Sequence, residues 1–166
     1  MNHRSSFARL AVATTALFLA APALGGDVKE IVHLVVAGGP KAGTYDASSE
    51  RGGCSAGLTG PGSWGNQLSN PKDKDPAKFN SLQLIVPDAK AAASGTDRFF
   101  LMVGFGPLSG RSAEYTVDTR EKPGKGSGTV TVKDKGATAA VEFDVKTADG
   151  IGLKGTIECK SVVRGQ

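Results

Sequence analysis

From Gly128 to Val162 the chain alternates apolar and polar residues through three successive stretches. Val130 and Val132 alternate with Thr129, Thr131 and Lys133. Ala139, Val141, Phe143 and Val145 alternate with Ala140, Glu142, Asp144 and Lys146. Ile151, Leu153, Ile157 and Cys159 alternate with Lys154, Thr156, Glu158 and Lys160. A strand turns successive side chains to opposite faces, so this period of two predicts three half-buried strands in a meander. Lys135-Gly136 and Ala148-Asp149-Gly150 supply the turns, because Asp-Gly adopts the backbone angles that hairpins need. Gly155 falls at an inward position, where a missing side chain marks a bulge or close packing. The same parity puts Cys159 on the core side.

Upstream the pattern is less regular. Val28 to Val36 is a strand with apolar residues of both parities, expected to lie centrally or to be buried on both faces. Gly43 to Asp46 and Cys54 to Gly57 are candidate short strands within a segment, Ala37 to Asn70, that is rich in Gly, Ser, Pro and Asn. Gly60 to Gly65 is expected to be a loop holding Trp64, the only tryptophan. Leu82, Leu84 and Val86 predict a strand ending at Pro87, and Asp88 to Thr96 leaves room for one helical turn at most. Phe99 to Phe105 is apolar on both faces, and Ala113, Tyr115 and Val117 form a strand with one wet face. About eight or nine short strands without a convincing helix predict an all-β fold. The expected form is a single antiparallel β-sandwich, with a β-barrel as the alternative.

The first residues differ from all of this. Arg4 and Arg9 precede an apolar run from Leu10 to Ala20, and small residues around Ala21-Pro22-Ala23-Leu24-Gly25 offer a cleavage site. This is the form of a signal peptide covering residues 1–25, and the apolar run falls short of the ~20 residues that span a bilayer. A mature chain from 26 to 166 is long enough for one domain with its own core. No further stretch is long and apolar enough to cross a membrane. Arg4 and Arg9 leave with the signal, so the formal net charge of +4 falls by two. Neither that balance nor any basic cluster points to nucleic acid. The protein is expected in the periplasm or the medium. There its two cysteines, Cys54 and Cys159, most simply form one disulfide; free thiols or pairing between molecules are the alternatives.

Candidate chemistry is sparse. His33 is the only histidine after the signal segment, so a nucleophile such as Ser55 has one possible base. There is no His-Glu-x-x-His and no phosphate-binding glycine loop. Asp73 and Asp75 lie among Lys72, Lys74 and Lys78, which would repel a calcium ion, and no other metal pattern is present. No cofactor is implied. Glu50, Asp46 and Asp97 are the carboxylates left for acid–base work near loops. The closing strand, Gly155-Thr156-Ile157-Glu158-Cys159, resembles the Cys-terminated last strand of small secreted bacterial β domains such as mycobacterial surface lipoprotein antigens. That resemblance covers a few residues, lacks their lipid-bearing cysteine and carries no function. The expectation is a non-catalytic binding or envelope-associated structural protein. A carbohydrate-binding module or a carboxylate-dependent glycan hydrolase is the alternative. Trp64, Tyr45 and Phe100 are the candidate contacts for a protein or glycan partner, since aromatic rings stack well on such ligands.

Overall fold

The computed structural model describes residues 28–49 and 51–165; the expected signal peptide and Glu50 lie outside the described residues. Eleven strands and one short helix follow in order: β1 Glu30–Ala37, β2 Gly43–Ser49, β3 Gly52–Ala56, β4 Trp64–Ser69, β5 Phe79–Val86, α1 Ala89–Ala92, β6 Phe100–Phe105, β7 Ala113–Asp118, β8 Ser127–Asp134, β9 Ala139–Lys146, β10 Gly152–Cys159 and β11 Val162–Arg164. They form two sheets, not a closed barrel. Sheet A runs β2-β1-β10-β9-β8, and sheet B runs β11-β3-β4-β5-β6-β7.

The alternation of the last third of the chain sets the core. Val130, Val132, Val141, Phe143, Val145, Leu153 and Ile157 are all buried, and their neighbours of opposite parity face outward. They pack against Leu68, Leu82, Leu84, Val86, Leu101, Val103 and Val117 of sheet B in one hydrophobic cluster. Each such side chain fully withdrawn from water contributes about 1.5–3 kcal/mol before conformational entropy is set against it.

Three features depart from the sequence expectations, and a fourth decides between two alternatives. The strand count is higher because the glycine-rich segment holds β4 and the tail holds β11. Trp64 opens β4 instead of sitting on a loop: Trp64, Asn66 and Leu68 share the inward parity, and a polar residue in the middle hides the period. The β11–β3 pair is parallel, so sheet B is mixed. Finally, β1 is central in sheet A but buried on one face only. Val32, Leu34 and Val36 point in, while His33 and Val35 are exposed. The expected single helical turn is α1, capped by Asp88, whose carboxylate accepts from Ala91 N at 3.0 Å.

The two sheets are joined covalently. Cys54 of β3 and Cys159 of β10 form a disulfide, with Cα atoms 5.9 Å apart. Both cysteines sit at inward positions, 2% and 1% exposed. Among the described residues, no helix is long and apolar enough to cross a membrane.

Candidate functional site

The three expected contact residues go to three different places. Trp64 is 0% exposed, so its ring belongs to the core and is not offered to a partner. Tyr45 is half-buried on β2. Its ring meets Phe105 edge-on at 4.8 Å between centroids, and its hydroxyl donates to the Lys41 carbonyl at 3.0 Å. Phe100 lies on the outer face of sheet B, half-covered by the Arg120 guanidinium 4.8 Å from its ring centre. Arg120 is itself held by Asp118, with Nη2 to Oδ2 at 2.7 Å, and that bond lowers the Asp118 carboxyl from its usual range. Charged side chains also cover the neighbouring part of this face; Arg111 Nη1 reaches Met102 Sδ at 3.4 Å.

The outward residues of sheet A, by contrast, converge. The strand registers place Asp46, His33, Thr156, Glu142 and Thr131 directly opposite one another across all five strands. Two residues along, Thr44, Val35, Lys154, Asp144 and Thr129 form a second such row. Between the two rows runs an inward-facing row that includes Leu34, Gly155 and Phe143. All ten outward residues, with these three, line one open hollow of about 580 Å³.

Gly155, in the inward-facing row, lies in the floor of this hollow. A Cβ on this residue would overlap the His33 carbonyl oxygen and would lie 2.6 Å from Phe143 Cζ. Without it, β10 approaches its neighbours and the Phe143 ring more closely than any other residue allows. The two outward rows then stand as walls on either side of a floor of backbone and core edges.

The dimensions follow from strand geometry. Four inter-strand steps of ~4.8 Å make the trough roughly 19 Å long, and the walls are two residues, or ~6.7 Å, apart. It crosses the strands instead of following them. Its polar side chains meet in pairs: His33 Nδ1 contacts Asp46 Oδ1, Lys154 Nζ lies 3.0 Å from Asp144 Oδ2, and Lys133 reaches in to Glu142 at 3.4 Å. The Thr44, Thr129 and Thr156 side chains are open to solvent. Every wall group except Val35 can donate or accept a hydrogen bond.

Catalytic pairings do not come together in the same way. Ser55 lies on the outer face of sheet B and His33 on the outer face of sheet A, so the sandwich separates them. Asp97 is exposed on the loop before β6. Asp73 is bound to Lys78 at 2.8 Å, in keeping with a solvated loop. Among the described residues, no group of three His, Cys, Asp or Glu is gathered as a metal would need.

One titratable group escaped the sequence reading. Glu30 has the inward parity of Val32, Leu34 and Val36, and is 0% exposed. Asn66 of β4 donates through Nδ2 to Glu30 Oε2. Burial raises the Glu30 carboxyl from its ordinary 4.5 to about 7, the Asn66 bond offsetting part of that rise. An acidic residue on the core parity of a strand was the available signal. Because its carboxyl is sealed from solvent, Glu30 cannot meet a substrate. Compared with known proteins, the chain matches no family model, no curated protein and no solved structure.

Proposed function

We propose that this is an exported, non-catalytic binding protein whose contact surface is the transverse trough on sheet A. The ligand is a linear, polyhydroxylated chain such as a cell-envelope glycan strand. One observation carries the reading: ten outward side chains from five strands stand in two opposed rows along a single hollow. A trough roughly 19 Å long and open along its length suits an extended chain better than a compact molecule. It crosses the strands, and the sheet's own ladder occupies the backbone groups beneath it. Recognition therefore falls to side chains. Those side chains are three carboxylates, a histidine, threonine hydroxyls and a lysine, and each carboxylate already has a side-chain partner, which weakens the pull that would select an ion. Such a set matches the alternating hydroxyl donors and acceptors of a sugar chain.

Export rests on the basic and apolar start of the sequence and on the disulfide, a bond that persists in oxidising compartments. A role without catalysis rests on the separation of Ser55 from His33 and on the sealing of Glu30.

The test is calorimetric titration of the mature protein with linear oligosaccharides of graded length, preceded by a glycan array. Affinity should rise with chain length until the trough is filled. Thr156→Arg, which places a long side chain at the trough centre, and Asp144→Ala should each weaken binding at least tenfold. Both residues are exposed, so the melting temperature should barely move. Absence of binding to every linear glycan, or binding indifferent to both substitutions, would remove the reading.

A further inference from the structure

We propose that Glu30 enters the fold as a protonated acid and closes a two-bond acid–amide pair with Asn66, a clasp between the sheets that opens on ionisation. The pair joins β1 of sheet A to β4 of sheet B, 36 residues away in sequence. Its two ends are 0% and 4% exposed.

The hydrogen-bond inventory carries the argument. Asn66 Nδ2 donates to Glu30 Oε2, which leaves Glu30 Oε1 and Asn66 Oδ1 buried and without partners. An ionised carboxylate can only accept, so it cannot relieve the Asn66 oxygen. A protonated one carries a single O–H donor. Directed at Asn66 Oδ1, that proton satisfies both orphaned oxygens at once. A carboxylic acid and a primary amide are complementary in this way, each with one donor and one acceptor on the same edge.

Among the described residues, no buried cation lies beside the pair. Ser49 of β2 and Cys159 of β10 face Glu30 across the two neighbouring strands. From sheet B come Gly52, whose missing Cβ would lie 3.9 Å from Glu30 Oε1, and Cys54, whose Sγ is 3.7 Å from Asn66 Nδ2. The disulfide does not titrate. Lys29, Arg51, Glu158 and Lys160, the charged residues next to these positions among the described ones, are all exposed. Burial without a cation therefore acts on Glu30 alone and favours the neutral form, in accord with a carboxyl raised to about 7.

The sign of the linkage follows. The folded-state value lies above the unfolded one, so the stabilisation is complete below pH 4.5 and is lost as pH rises through about 7. The gap between 4.5 and about 7 corresponds to a roughly 300-fold fall in the folding constant by pH 8.

The experiment measures urea unfolding of the mature, disulfide-bonded protein from pH 4.5 to 8.5, alongside Glu30→Gln. The wild type should lose stability steadily from pH 4.5 to about 7 and level off above that. Glu30→Gln, neutral at every pH, should lose that component while His33 remains in place, so a slope due to the imidazole would survive in the variant. In parallel, the Glu30 side-chain carboxyl carbon is followed by NMR in the wild type, with an expected midpoint near 7. A midpoint in the ordinary carboxylate range, or an unchanged pH slope in Glu30→Gln, overturns the proposal. Loss of glycan binding leaves it untouched, because the clasp does not depend on the trough.

Discussion

Removing the bridge between Cys54 and Cys159 tests the architecture most directly. The perturbation is the double substitution Cys54→Ala and Cys159→Ala, which avoids leaving one reactive thiol. The bridge spans 105 residues of sequence and ties β3 of one sheet to β10 of the other. In the chain-entropy description, closing a loop of that length in the unfolded state is worth roughly 4.8 kcal/mol at 25 °C. Loss of the two sulfur atoms from the core adds a smaller packing penalty, since both residues are buried. For a chain of this size each kcal/mol moves the midpoint by about 2–4 °C, so the double variant should melt about 10–20 °C lower. Differential scanning calorimetry on the mature protein, with and without reductant, reads the effect. Reductant should move the wild type by a similar amount, once unfolding exposes the bridge, and should not move the variant. A shift of less than ~3 °C, or two titratable thiols in the oxidised wild type, would refute the reasoning that this link holds the sheets in register.

Other outcomes follow from single positions. Gly155→Ala forces a methyl group against the His33 carbonyl, which is backbone, and against the buried Phe143 ring. It should cost about 1–3 kcal/mol in a denaturant titration and also raise the trough floor, weakening the ligand more than wall substitutions of equal stability. Trp64→Ala should cost about 3–5 kcal/mol, because the ring is fully enclosed in the core; an unchanged melting temperature would mean the ring is not packed as described.

The local alternation of side chains made much of the fold legible. The strands from Val130 to Cys159 need no long-range information, because the period of two is set within each strand and the faces follow from it. Cys159 was assigned inward on parity alone, and with two cysteines in a chain that begins like an exported one the bridge to Cys54 follows. The glycine-rich segment resisted because its strands are short and carry Asn66 and Gly65 where apolar residues would advertise them. For the same reason the local pattern around Trp64 reads as a loop.

What the chain determined by itself is which residues face in and which face out. Asp46, His33, Thr156, Glu142 and Thr131 were each recognisable as residues outside the core. Nothing in their order in the sequence says that they stand in one line. That depends on strand register, which is set by how two whole sheets fit over a shared core. Glu30 and Asn66 make the same point from the inside. Each is a polar residue at a core position, unexplained until packing of the sheets brings the two together, because a buried polar group is tolerated only beside a partner that the rest of the fold must deliver.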